Sequence, residues 1–286
     1  MKKSQLIYQY IREQGAVSKQ DIVIGLGLSL PTITQNLNNL AELGLIDTSK
    51  KISNTGGRNA TAYSYIEKAR YAVGLYLNRH HINCVAVDLS GNVISLIRVR
   101  ENFDLNDDNY LRKIGETVEE VKKDTGLSDD RFLGVGIAVQ GLISDDGERV
   151  TYGLTLNFTG VTRADIAKYI PYHNRLFHDS AAAGYAEVWD RNDLDDAFYL
   201  SLSNSVGGAV IVANKIFEGE RRKSGEIGHM TIIPKAGDRC YCGQRGCFDT
   251  VCRANVLAEY ADGDLEKFFE LLETKDLGAR RHWNRY

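Results

Sequence analysis

Glu226-Ile227-Gly228-His229, followed eleven positions later by Cys240-Tyr241-Cys242-Gly243-Gln244-Arg245-Gly246-Cys247, is the stretch on which the reading turns. Three thiolates and one imidazole form a tetrahedral zinc set, and the glycines at 243 and 246 let the backbone turn around an ion. Four protein ligands leave no open position. The expected Zn2+, held by His229, Cys240, Cys242 and Cys247, is therefore structural and not a water activator. Three unligated thiols in a loop are the plainer alternative. Zinc on His229 would also steady Glu226, three residues earlier, and suit it to bidentate hydrogen bonding with vicinal hydroxyls.

The composition agrees with such a site. The chain has 286 residues, 43% hydrophobic and 26% charged, with five cysteines that cannot all pair. Collagen-like, wholly disordered and disulfide-scaffold classes are excluded. A reducing cytoplasm suits a cysteine cluster better than disulfides do. No apolar run approaches a membrane span, and the N-terminus lacks a signal-peptide core, so a cytoplasmic protein with no membrane partner is expected. Cys84 sits in an apolar strand and reads as core, and Cys252 as a bystander. Charge is uneven: residues 1–70 hold nine Lys and Arg against five Asp and Glu, the remainder 26 against 33. A basic head on an acidic body points to the head as the part that meets an anion.

Residues 1–70 read as three short helices and a hairpin. Leu6, Ile7, Tyr10 and Ile11 make one apolar stripe, and Gly15 ends it. Ser18 with Asp21 is a capping-box start for a second helix. Ser29 caps a third, with Pro31 in its first turn. Ile33, Leu37 and Leu40 face inward. Thr32, Gln35, Asn36 and Asn39 face outward, with Thr34 and Asn38 alongside. A solvated face normally carries Lys and Glu, whereas uncharged donors and acceptors suit base edges in a major groove. Two strands, Leu45–Asp47 and Ala62–Ile66, would flank a basic wing tip in which Lys50, Lys51 and Arg58 touch phosphates or a minor groove. The reading is a winged helix-turn-helix that binds double-stranded DNA. A small helical dimerisation module with a solvated hairpin is the alternative.

Residues 71–286 open with three strands, 71–78, 82–89 and 93–99. A helix at 108–124 and a buried strand, Phe132–Val139, follow. Residues 162–170 look helical, Arg175–His178 is a strand, Ala181–Trp189 a helix, and 197–203 with 209–213 a hairpin. Strands first and alternating elements after indicate an α/β fold. Asp179 ends a strand and begins a helix, where ligands gather in α/β sheets. On spacing alone a helix N-cap is the better reading of it.

Gly136-Ile-Ala-Val-Gln-Gly141, His178-Asp-Ser-Ala-Ala-Ala-Gly184, Gly225-Glu-Ile-Gly-His-Met230 and Cys240-x-Cys242-Gly-x-x-Gly-Cys247-Phe-Asp249 together resemble the ROK family of bacterial repressors and sugar kinases. The head looks like the winged helix-turn-helix of the repressor branch. The resemblance implies an actin-like, ribonuclease-H-like sugar-kinase fold with a cleft between two lobes. It also implies sugar contacts at Glu226, His229 and Asp179, with Asn157 a weaker match. Asp249 stands where the family usually has Glu, and His178 where it usually has Asn. In the kinases the residue matching Asp179 is the general base. The kinase phosphate loops, however, are altered here to Gly74-Leu-Tyr-Leu-Asn-Arg-His80 and Ser203-Asn-Ser-Val-Gly-Gly-Ala209. Phosphoryl transfer is mostly positioning and charge neutralisation, so it should be lost with them. The family's core continues past Arg280–Tyr286, so a C-terminally truncated fold is expected.

The expectation is a winged helix-turn-helix over 1–70 and a ROK-type sugar-binding domain with structural zinc over 71–286. It is a non-enzymatic repressor of operator DNA that responds to a sugar or sugar derivative. A homodimer or higher homo-oligomer would read a palindrome. An ATP-dependent sugar kinase with a DNA-binding head is the alternative, and a DNA-binding fragment with no ligand response a third.

Overall fold

The computed structural model describes residues 2–52, 60–189, 191, 194–235 and 237–286. The expected wing tip with Arg58 lies outside the described residues.

Three helices open the chain: α1 (Lys3–Gln14), α2 (Lys19–Leu26) and α3 (Leu30–Glu42). Ile7, Ile11, Ile22, Ile33, Leu37 and Leu40 are all buried in one cluster, which is the helical periodicity turned into a core. The Ser18 hydroxyl accepts the Asp21 N–H at 3.2 Å, and the Asp21 carboxylate accepts the Ser18 N–H at 2.8 Å. These hydrogen bonds from Ser18 hold the Asp21 carboxyl below its ordinary range. Ser29 occupies the N-cap of α3 but makes no capping bond, because its hydroxyl pairs with Thr32 Oγ1 at 2.9 Å instead. That corrects the capping role expected of Ser29. Short strands β1 (Ile46–Asp47), β2 (Lys51–Ile52), β3 (Ala60–Thr61) and β4 (Ser64–Tyr65) pair antiparallel as β1 with β4 and β2 with β3.

The body begins with β5 (Tyr71–Leu77), β6 (His81–Asp88) and β7 (Val93–Arg100), then α4 (Asp108–Asp124) and β8 (Phe132–Val139). Burial in β5 and β6 strictly alternates, and Cys84 is fully buried, its thiol pushed up to about 12 by burial. A small ribbon of β9 (Leu142–Ile143) and β10 (Val150–Tyr152) comes next, then α5 (Arg163–Ile166) and β11 (Asn174–His178). The main sheet has the order β11-β8-β5-β6-β7, with β11 parallel to β8. Residues 162–170 are helical only over α5. Thr162 and Asp165 form a capping box, but the chain leaves helical geometry at Ala167, shortly before Pro171. Proline disfavours helix in the residue before it, so Pro171 bars a helix from continuing through Ile170.

From β11 the chain enters α6 (Asp179–Val188), then β12 (Ala197–Leu202), β13 (Val206–Val212) and β14 (Lys215–Ile216), an antiparallel sheet of order β12-β13-β14. A Cβ on Gly184 would lie 2.8 Å from that of Ala209, so only glycine lets α6 sit this close to the sheet. Four helices close the chain: α7 (Phe248–Cys252), α8 (Ala254–Glu259), α9 (Leu265–Glu273) and α10 (Leu277–Arg285). Leu257, Ala261, Phe268 and Ala279 make their core.

Two compact units result: residues 1–72 with 86–95 and 122–133, and residues 73–85 with 96–121 and 134–286. Among the described residues no helix is long and apolar enough to cross a membrane. Leu37 is 1% exposed. Leu37→Ala should cost about 2–5 kcal/mol, seen as a lower denaturant midpoint with an unchanged slope.

Candidate ligand cleft and metal centre

His229 ends a short 3-10 turn, Ile227–His229, and the loop at 239–247 folds back toward it. The ligand atoms of His229, Cys240, Cys242 and Cys247 all lie within 4.8 Å of one another. Cys240 Sγ is 3.6 Å from His229 Nδ1, and Cys242 Sγ 3.7 Å from Cys247 Sγ. Two sulfurs each about 2.3 Å from one tetrahedral ion stand about 3.8 Å apart, so the donors fit such an ion. The main chain sets this arrangement. The Gly246 carbonyl accepts the N–H groups of Ile232 and Ile233 at 2.8 and 3.1 Å, and the Gly246 N–H reaches Asp238 O at 2.9 Å. Gly246 has φ +70°, and a Cβ there would overlap the Ile233 carbonyl.

His229 turns its other nitrogen the opposite way. Nε2 lies 3.7 Å from Glu226 Oε2. Glu226 Oε1 is 3.9 Å from His178 Nε2, which in turn is 3.5 Å from Asp179 Oδ1. Two carboxylates and two imidazoles thus run in an unbroken line from the thiol cluster to the junction of β11 and α6. All four line one polar cleft, together with Tyr76, Gln140, Tyr152, Thr155 and Tyr241.

Asp179 is the first residue of α6 and not its N-cap, which is His178. Its carboxylate accepts the Ser180 N–H at 2.7 Å. Burial raises the Asp179 carboxyl above its ordinary value, against the opposing pull of His178 and of the Ser180 hydrogen bonds. Burial, and then the charge of Asp179, push Tyr76 up to about 12, although Gln140 donates to its hydroxyl at 3.4 Å. Burial also raises Tyr152 and Tyr241. With their pKa values raised, these tyrosines remain intact phenols at neutral pH, and with the carboxyl groups of Asp179 and Glu226 they give the cleft a surface of polar groups for a polyhydroxylated ligand.

Asp179, Glu226, His178 and His229 come together. Asn157 and Asp249 do not join them. Asn157 is exposed, in a left-handed turn with φ 56°, and lines neither this cleft nor the cavity beside it. Asp249 is buried, its Oδ1 accepts the Val206 N–H at 2.7 Å, and it lines the neighbouring cavity. Tyr76, Gln140, Tyr152 and Tyr241 were missed as cleft residues. Tyr241 had one signal, its place between two cluster cysteines. Gln140 had another, as the residue that breaks a buried strand.

In the head, Gln35 and Asn39 on α3 are exposed, as are Ser29, Lys50 and Lys51, while Thr32, Thr34 and Asn36 are half-buried. Asn36 donates from Nδ2 to Thr32 O at 2.8 Å, which ties its amide to the helix.

The main sheet, the cleft at the carboxyl end of β11 and the tethered carboxylate define an α/β protein of the sugar-kinase-like type. A profile of the ROK family matches residues 72–286, and the chain belongs to that family. It is 25% identical over 258 residues to the xylose repressor of Bacillus subtilis, covering 88% of this chain and 66% of that protein. It is 24% identical over 278 residues to the N-acetylglucosamine repressor of Escherichia coli O157:H7, covering 90% and 63%. The chain thus spans just under two thirds of the length of these relatives. Among solved structures, a ROK family transcriptional regulator, a homologue of the E. coli MLC protein, superposes with TM-score 0.71 at 22% identity, over 91% of this chain and 68% of that one. A ROK family glucokinase from Streptomyces griseus, in complex with glucose and AMPPNP, superposes with TM-score 0.60 at 19% identity, over 75% of each chain.

Atomic emission should find about one bound metal ion per purified chain, and Cys247→Ser should lose it and lower the melting temperature. Asp179 gives a second test. Its folded pKa lies above the unfolded 3.8, so the folded chain holds that proton more tightly and stability falls as pH rises through the raised value. Asp179→Asn should therefore raise the melting temperature at pH 7, with the gain vanishing below about pH 4.

Proposed function

We propose that the chain is a sugar-responsive transcriptional repressor. The observation that carries this reading is the extent of the likeness. The glucokinase matches 75% of the chain, about the share that residues 72–286 supply, whereas the transcriptional regulator matches 91% and the two repressors 88–90%. A match to 88–91% of the chain exceeds what residues 72–286 can supply, so it takes in part of the helical residues before 72, which supports a head of the kind repressors need.

In this reading residues 1–70 form a winged helix-turn-helix, and 71–286 a sugar-binding domain in the cytoplasm. The α3 helix enters the major groove with Thr32, Thr34, Gln35, Asn36 and Asn39 toward base edges, and Ser29 at its start. Lys50, Lys51 and Arg58 hold the phosphate backbone. A homodimer reads a palindromic operator. In the cleft Asp179 accepts from one sugar hydroxyl, Glu226 spans a vicinal pair, and His229 Nε2 adds a third contact. His178 bridges the two carboxylates. The ion on His229, Cys240, Cys242 and Cys247 is Zn2+, the cation that a three-thiolate, one-imidazole set prefers. It fixes His229, and through it Glu226. A sugar that favours one arrangement of the protein over another then shifts operator affinity by that difference.

A second reading is favoured by one observation, the buried carboxyl of Asp179 at a strand end with a raised pKa, which would suit a general base in an ATP-dependent sugar kinase. The altered phosphate loops weigh against it.

The test is operator binding measured against salt and sugar. Lys50→Ala should weaken binding to every sequence and reduce the salt slope by about 0.9. Gln35→Ala should relax specificity at one base pair, a loss of about 1–3 kcal/mol of discrimination. Asp179→Asn should bind operator normally yet ignore the sugar that releases the native protein. Sugar-dependent ADP release abolished by Asp179→Asn would establish the kinase instead.

A further inference from the structure

Glu226 reaches the cleft from the end of a loop. Residues 217–225 leave β14 and lead straight into it. Both ends of the loop are fastened to the β12-β13-β14 sheet. The Phe217 N–H donates to Val210 O at 2.7 Å, and a Cβ on Gly225 would overlap the Gly208 carbonyl. Between these anchors the loop borders a cavity of about 100 Å³, lined by Ile143, Phe177, Glu218, Arg222 and Glu226 among others. Leu142, His178 and Glu226 line both this cavity and the ligand cleft, so the Glu226 side chain stands as a partition between two spaces. A void on one side gives it no van der Waals backing there.

Arg222 is the side chain that compensates. Its backbone is left-handed, with φ 52°, a conformation that glycine and asparagine adopt readily and arginine does not. Such a residue persists where its surroundings hold it there. Nη1 donates to Ser144 O and Nη2 to Asp145 O, both at 3.2 Å. Nε also meets Asp145 Oδ1 at 3.1 Å, and Nη2 meets Glu218 Oε2 at 3.3 Å. Ser144 and Asp145 lie at the turn of the β9–β10 ribbon, whose Leu142 and Tyr152 line the cleft. One guanidinium therefore ties that ribbon to the loop that ends in Glu226. The Asp145 side chain is 91% exposed, so its ion pair contributes little. The two main-chain carbonyls are the specific acceptors, because a rigid fork meets two neighbouring oxygens at once and a lysine ammonium does not.

We infer that Arg222 is a positioning residue for ligand binding: by clamping the β9–β10 ribbon to the 217–225 loop, it holds Glu226 in place in the cleft. The inference rests on the sugar-binding reading and adds to it. His229 restrains the carboxylate from the metal cluster, and Arg222 restrains the chain that delivers it. Glycine or asparagine at 222 would make the turn with less strain, so the arginine is there for what its side chain reaches.

Arg222→Asn separates positioning from folding. Asparagine tolerates the left-handed backbone, so metal content and melting temperature should stay near native while the clamp is lost. Arg222→Gly stands in if that variant misfolds. Isothermal titration of the full chain with xylose, glucose and N-acetylglucosamine is the first readout. Any of these that the native chain binds should be held about 10-fold more weakly by Arg222→Asn, the scale of one hydrogen bond to a charged group. Asp145→Ala keeps both main-chain acceptors and should change affinity by about threefold or less. Unchanged affinity in Arg222→Asn overturns the inference, and so does an equal loss in Asp145→Ala, which assigns the effect to the exposed ion pair. Amide hydrogen exchange gives a readout that needs no sugar. Arg222→Asn should speed exchange in 142–152 and 217–226 together. Faster exchange in 217–226 alone, or in neither segment, overturns the clamp. If the native chain binds none of the three sugars, the sugar-binding reading fails, and the exchange result decides the clamp by itself.

Discussion

An imidazole ring has two nitrogens on opposite edges, and the body of this protein is organised around one ring that uses both. His229 turns Nδ1 to the thiol cluster and Nε2 to Glu226. The carboxylate is therefore oriented by a group that is itself oriented by the cluster loop. From Glu226 the line continues through His178 to Asp179, at the end of β11. No long-range electrostatics are needed, because each member lies within 4 Å of the next. The arrangement also explains why a deeply placed carboxyl is tolerated at Asp179. Its burial cost is offset in part by the His178 ring and the Ser180 N–H.

What the sequence disclosed follows from how local each signal was. Cys240, Cys242, Cys247 and His229 were legible because the chemistry admits few residue types and the spacing is short. Glu226 came with them, three positions from His229. The α4 helix and the burial alternation of β5 and β6 follow from periodicity alone. The capping bond of Ser29 was not legible, since a hydroxyl chooses among near-equal partners and this one chose Thr32. The α5 helix was read too long because the apolar spacing continues to Ile170 while Pro171 acts against it.

The cleft shows the opposite limit. Tyr76 comes from β5, Tyr152 from β10 and Tyr241 from the cluster loop. No spacing rule joins residues so far apart in the chain. Their tertiary neighbours create their chemistry too: burial and Asp179 together raise Tyr76, and neither is visible at position 76 of the sequence. Asp249 is instructive in the other direction. Family likeness put it with the sugar contacts, yet one of its oxygens is spent on the Val206 N–H and it borders the neighbouring cavity.

The double acceptance at the Gly246 carbonyl has a consequence for assembly. Ile232 and Ile233 both donate to it, and no side chain could replace the glycine beneath them. Any residue larger than glycine at 246 would push the Ile233 carbonyl aside and displace the backbone on which the neighbouring Cys247 sits.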